Sequence, residues 1–156
     1  MKVILTFVVL AALVNASFAW FYTSGRKLID SNGKEFIARG INTASADWDA
    51  TYKPESYMPA IRATGANSVR IQWLTDDKVR EKGLNDNNLK NVIQQAINNQ
   101  LIPILELWSY TGSNDYNALK SAGNWWVSKM NILKPFEDKL LINIANEWVF
   151  KKLIFK

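Results

Sequence analysis

Near the end of the chain, two adjacent side chains have the types and spacing for proton-transfer chemistry. The run Leu141-Ile-Asn-Ile-Ala-Asn-Glu-Trp148 reads as an apolar strand ending in Asn146-Glu147, a carboxylate with an amide beside it. A carboxyl donates or accepts protons usefully when burial or a neighbouring charge moves its pKa towards neutrality. The chain contains no histidine and no cysteine. That excludes His-based triads, histidine zinc sites, thiol nucleophiles, thiolate metal sites and a disulfide framework. Proton transfer therefore falls to carboxylates, Lys or Tyr, and neither a metal nor a cofactor is expected. A second clue is Arg70, set inside Ser68-Val-Arg-Ile-Gln72. A guanidinium buried in a strand requires a partner, which implies a carboxylate nearby.

These residues must be positioned by a regular frame, and the chain alternates strand and helix signals. Tyr22 to Phe36 reads as a β-hairpin, with Lys27-Leu-Ile29 turning through Asp30-Ser-Asn-Gly33 into Glu35-Phe36. Phe36 to Ile41 is the first strand of the main sheet. A helix follows from about Pro54 to Thr64, with Pro near its start and Gly65 past its end. Asn67 to Trp73 is the second strand. Leu89, Val92, Ile93, Ala96 and Ile97 form an apolar stripe at helical spacing. Leu101 to Trp108 is the third strand, Asn117 to Leu133 a third helix carrying Trp125 and Trp126, and Leu140 to Ala145 the fourth strand. The two tryptophans, at helical spacing, read as packing residues.

This β-α-β-α-β-α-β series suits either a closed barrel or an open doubly wound sheet. The turn after the first strand, Gly40-Ile-Asn-Thr-Ala-Ser45, lacks the glycine pattern of a dinucleotide site. The expected fold is thus α/β, of the (β/α)8 barrel type. In such a barrel the C-terminal strand ends share one rim, which carries the active site. Asn42, Arg70, Gln72, Trp108, Asn146 and Glu147 gather there. Glu106 has the strand parity of Ile104 and Trp108, points inward, and reads as a buried structural carboxylate. Asp47 and Asp49 fall on a loop and read as solvent-exposed.

Residues 1–19 have the layout of a secretory signal: Lys2, the apolar run Val3 to Val14, then Ser17 and Ala19 at the −3 and −1 places of a cleavage site. The run is shorter than the ~20 residues a membrane span needs. Secretion to the extracellular space, with no membrane attachment after cleavage, is expected. The mature chain would hold 156 − 19 = 137 residues, enough for one domain, whereas a whole barrel takes about 250. The net charge of +5 is spread among acids, as in Lys78-Val-Arg-Glu-Lys82. This lacks the one-faced clustering that nucleic acid requires. Seven Trp and five Tyr offer aromatic faces of the kind that stack on pyranose rings.

The ordered set Phe36-Ile-Ala-Arg-Gly-Ile-Asn42, Gly65-Ala-Asn-Ser-Val-Arg-Ile71, Pro103-Ile-Leu-Glu-Leu-Trp108 with Thr111-Gly112, and Ile142-Asn-Ile-Ala-Asn-Glu-Trp148 resembles glycoside hydrolase family 5. It is most similar to secreted endo-β-1,4-mannanases, and Trp148 in place of the proline usual in related cellulases tilts it towards mannan. The resemblance implies that Glu147 is the acid/base of a retaining glycosidase. It makes Asn146 the amide that binds the substrate's 2-hydroxyl and Arg70 the residue that orients the nucleophile. Asn42 and Trp108 would line the substrate cleft, Trp108 standing where these mannanases usually have His. A retaining mechanism sets two carboxyls about 5–5.5 Å apart, one ionised to attack and one protonated to donate. The family carries its nucleophile on strand seven and an aromatic subsite floor on strand eight.

The chain is therefore expected to hold the first four β/α units behind an N-terminal hairpin. Residues 20–148 would be the family domain, 149–156 a tail outside it, and the acid would lack a nucleophile. The implied partner is a β-linked polysaccharide, mannan or glucan. Open sheet edges would favour self-association. Alternatives are a non-catalytic carbohydrate-binding relic, an endo-β-1,4-glucanase fragment, and a full enzyme whose gene was cut short.

Overall fold

Four short apolar runs become the strands of one parallel sheet. The computed structural model describes residues 20–43 and 53–148. The signal segment, the loop bearing Asp47 and Asp49, and the tail 149–156 lie outside the described residues. The sheet strands are β3 (Gly40–Asn42), β4 (Ser68–Trp73), β5 (Ile102–Leu107) and β6 (Leu141–Asn143), ahead of which β1 (Tyr22–Ser24) and β2 (Lys27–Ile29) form a hairpin. The sheet order is β3-β4-β5-β6, all parallel. An open doubly wound sheet reverses its strand order at a switch point. Here spatial order follows chain order in one direction, which is the wall of a β/α barrel.

The helices are α1 (Met58–Ala63), entered through a 3-10 turn at Pro54–Tyr57, α2 (Asp76–Glu81), α3 (Asp86–Asn98), α4 (Tyr116–Ser128) and α5 (Met130–Leu133). Alternate residues of the central strands, Val69, Ile71 and Trp73 on β4 and Leu105 and Leu107 on β5, are buried in one core with Leu89, Val92, Ile93 and Ala96 of α3. Fully burying Leu89, Val92 and Ile93 is worth on the order of 6 kcal/mol before entropy is charged. The Asn85 cap of that helix adds about 1 kcal/mol. Packing, more than capping, therefore holds α3 on the sheet.

The hairpin differs from the sequence expectation. The strand pair is Tyr22–Ser24 with Lys27–Ile29, turning at Gly25-Arg26. The Asp30–Gly33 turn does form, with Gly33 N–H on the Asp30 carbonyl at 2.9 Å and Asn32 and Lys34 N–H on its carboxylate, each at 2.9 Å. Beyond it, only a single bridge joins Ile29 to Glu35.

The first barrel strand is also shorter than read. Asn67 accepts from Arg39 N–H through its side-chain oxygen (2.7 Å) and donates to the Ile37 carbonyl (2.9 Å), so its amide replaces the ladder there. Gly40 then packs against Ser68 so closely that a Cβ would lie 2.5 Å from the Ser68 hydroxyl. The predicted third helix is split at Lys129, where the Ser128 hydroxyl turns back onto the Trp125 carbonyl at 2.7 Å.

Lys129 is buried and ties three helices together. Its Nζ meets Asp76, which begins α2, at 2.8 Å, and Asp86, which begins α3, at 2.6 Å. Trp125 Nε1 donates to Asp76 at 3.0 Å, and the ring lies 5.9 Å from the ammonium. Trp126 Nε1 donates to the Ile144 carbonyl at 2.7 Å, so both tryptophans pack as expected. On the edge strands, Ile41 of β3 and Ile142 of β6 are exposed, as are the flanking Ile37 and Ile144. Among the described residues no helix is long and apolar enough to cross a membrane.

Candidate active site at the sheet mouth

Parallel pairing brings the C-terminal ends of β4, β5 and β6 to one rim. The register sets Gln72 beside Glu106 and Glu106 beside Asn143, with Arg70 beside Asn42 on the other flank. Inward-facing polar residues from neighbouring strands therefore fall within reach of one another.

Arg70 is the hub. Its Nη2 donates to Glu106 Oε1 and, at 2.6 Å, to Asn146 Oδ1. The carboxylate that an arginine within the strand called for is thus Glu106, whose side chain is fully buried while Arg70 is half-buried, its side chain 24% exposed. Asn143 Nδ2 reaches the same Glu106 oxygen at 3.3 Å. The other oxygen, Oε2, is buried and meets no hydrogen-bond partner. Burial pushes the Glu106 carboxyl up to about 7; Arg70 opposes this, and the charge of Glu147 adds to it. Desolvation therefore outweighs the ion pair, as is common when a charge is removed from water.

Asn146 is buried and held on both ends of its amide. Its oxygen accepts from Arg70, and its Nδ2 donates to Thr111 Oγ1 at 3.0 Å. The Thr111 hydroxyl donates in turn to the Trp108 carbonyl at 2.6 Å. The backbone is fastened too: Asn146 N–H donates to the Leu107 carbonyl at 3.2 Å, and Gly112 N–H to the Glu147 carbonyl at 3.1 Å. Glu147 takes a left-handed φ of 42°, an uncommon conformation for a non-glycine residue that such pinning can hold. Its side chain is exposed at the rim.

The sequence-selected residues are thus brought together unevenly. Arg70, Asn146 and Glu147 share the mouth. Trp108 lies just past β5, half-buried against the core, and serves the network through its carbonyl. Asn42 is exposed at the end of β3, in register with Arg70. Glu106 is buried, as its strand parity predicts, whereas Glu147, whose proton burial was expected to hold, is exposed. The Thr111-Gly112 motif carries no sequence signal for the clamp of Thr111 on Asn146. Residues 76, 86 and 129 lie too far apart in sequence for their cluster to be read.

The same fold recurs in known proteins. The model of the family described as Cellulase (glycosyl hydrolase family 5) matches residues 29–153, and the chain belongs to that family. It is 35% identical over 136 residues to a mannan endo-1,4-beta-mannosidase of Salipaludibacillus agaradhaerens, covering 83% of this chain and 41% of the relative. Among solved structures, a β-mannanase from Streptomyces thermolilacinus superposes with a TM-score of 0.68 at 30% identity, covering 83% of this chain and 43% of the other. A β-mannanase from Thermomonospora fusca in complex with mannotriose gives 0.67 at 29% identity, covering 81% and 42%. The chain thus spans about two-fifths of the length of these relatives, as a four-stranded part of a (β/α)8 barrel behind an antiparallel hairpin.

Proposed function

We propose that this chain forms one wall of a cleft for a β-1,4-linked mannan of the kind cleaved by retaining endo-mannanases. Glu147 is its acid/base, and the Asn146 amide meets the 2-hydroxyl of the sugar. Arg70 supplies the cation that keeps an attacking carboxylate ionised through a charge-assisted bond. Asn42 and Trp108 flank the bound chain. The observation that carries the reading is the single Arg70 nitrogen shared by Glu106 and Asn146, the residue that precedes Glu147 in the chain. A cation and an oriented amide next to an exposed carboxylate suit a sugar whose glycosidic oxygen must be protonated while its ring is held. The mannotriose-bound relative supports mannan as the ligand.

The chain alone binds without cleaving. Retention needs two carboxyls on opposite sides of the anomeric carbon. Among the described residues, the second carboxylate at this mouth is Glu106, which stands on the strand next to Glu147's, is fully buried, and is engaged by Arg70 and Asn143. The exposed isoleucines on β3 and β6 favour self-association through the two sheet edges. The protein acts outside the cell once residues 1–19 are removed, a reading that rests on their signal-like layout.

The test is a titration of the pure chain with mannohexaose and, separately, cellohexaose, alongside a reducing-end assay on mannan. Millimolar binding of mannohexaose without turnover is expected. Released reducing ends would overturn the absence of hydrolysis. A preference for cellohexaose would move the substrate to glucan, and no binding of either sugar would end the cleft reading.

A further inference from the structure

Glu106 is the most deeply buried polar group of the described mouth, yet the proposed chemistry gives it no task. The directions of the hydrogen bonds around it are fixed by the donors alone. Arg70 can only donate, so Asn146 must face it with its oxygen. The Asn146 nitrogen must then face Thr111, whose hydroxyl proton is directed to the Trp108 carbonyl. The amide orientation is thus set by where the guanidinium stands, and the guanidinium stands on Glu106.

We propose that Glu106 is a positioning residue: through Arg70 it fixes which way the Asn146 amide faces beside Glu147. The role deepens the sugar-cleft reading, which it needs only for what the amide meets. The relay itself rests on bonds among Glu106, Arg70, Asn146 and Thr111. Asn143 braces the same carboxylate from β6 at 3.3 Å, and Glu147 is the other charged group that acts on it. When Glu106 is ionised, the Arg70 bond is charge-assisted and the amide is held firmly. When Glu106 is protonated, the bond weakens to a charged–neutral one and the amide gains freedom.

The experiment follows the Asn146 side-chain NH2 signals of the full chain by 1H–15N correlation spectroscopy between pH 5 and 9, in the unsubstituted protein, Glu106→Gln and Glu147→Gln. The expected result is a titration of the Asn146 amide centred near 7, lost in Glu106→Gln and moved to lower pH in Glu147→Gln. Mannohexaose affinity should rise about tenfold across the same range in the unsubstituted protein and stay flat in Glu106→Gln, the order of change for losing one of the two charges of the Arg70–Glu106 bond. An Asn146 signal that does not titrate, or one that titrates unchanged in Glu106→Gln, overturns the relay. Should Glu106→Gln lose its dispersed spectrum, the unsubstituted protein and Glu147→Gln decide the matter. Amide titration without sugar binding would sustain the relay and refute the cleft; sugar binding with a silent amide would do the reverse.

Discussion

The buried Glu106 carboxyl should make this fold lose stability as pH rises through the neutral range. Its folded-state value is about 7 against an ordinary 4.5, so between those values the folded chain holds a proton that the unfolded chain has released. Stability then falls with increasing pH across that window and levels off above it. At about 1.4 kcal/mol for each pH unit, the loss amounts to about 3 kcal/mol. The ion pair with Arg70 is already included, because the raised value is what remains after Arg70 has opposed the burial. Other carboxylates titrate too, so the informative quantity is the difference from Glu106→Gln, which keeps the shape and cannot ionise. Urea unfolding of both proteins at pH 4.5, 6 and 7.5 measures it, provided two probes give coincident transitions. The unsubstituted protein should lose about 3 kcal/mol relative to the variant over that range. A difference that stays constant, or one that grows in favour of the unsubstituted protein as pH rises, would refute the argument that desolvation outweighs the Arg70 attraction.

Three further outcomes follow from packing and capping. Gly40→Ala should destabilise by about 1–3 kcal/mol in thermal melts, since its Cβ would lie 2.5 Å from the Ser68 hydroxyl and 2.8 Å from the Ser68 carbonyl oxygen. Adding Ser68→Ala should recover only part, because the carbonyl contact remains. Lys129→Met should cost about 1 kcal/mol by urea unfolding: Asp76 and Asp86 are half-exposed, so solvent screens both pairs, and the cost should shrink in 0.5 M salt. Asn85→Ala should cost about 1 kcal/mol by the same measurement, through loss of the cap on Asn87 N–H at 2.8 Å.

The fold was legible where a single period or a single burial requirement decided the structure. The stripe from Leu89 to Ala96 was readable because its four buried members all sit on one helical face. The helix after Pro54 was readable from Pro near its start and Gly65 past its end, although its first turn, Pro54–Tyr57, is 3-10. Helix α2 was missed because it spans six residues and buries only Val79, which leaves no period to detect. The hairpin was placed one turn late because Asp30-Ser-Asn-Gly33 carries stronger local turn chemistry than Gly25-Arg26. Both turns exist, and strand pairing, a longer-range property, favours the earlier one.

The same division runs through the mouth. That Arg70 required a carboxylate followed from the cost of burying a guanidinium, and the inward parity of Glu106 followed from counting along its strand. That these two requirements answer each other follows from neither. It depends on the register that sets Gln72 beside Glu106 and Arg70 beside Ile104, a register fixed by helix lengths and packing between the strands. A slip of two residues would preserve every inward and outward assignment and still carry Glu106 some 6–7 Å along the strand, beyond the reach of the Arg70 bond. Burial and parity therefore select the residues able to take part in such a site, while register decides which of them touch. This is why Glu106 looked like a structural residue along the chain and stands at the centre of the network in the fold.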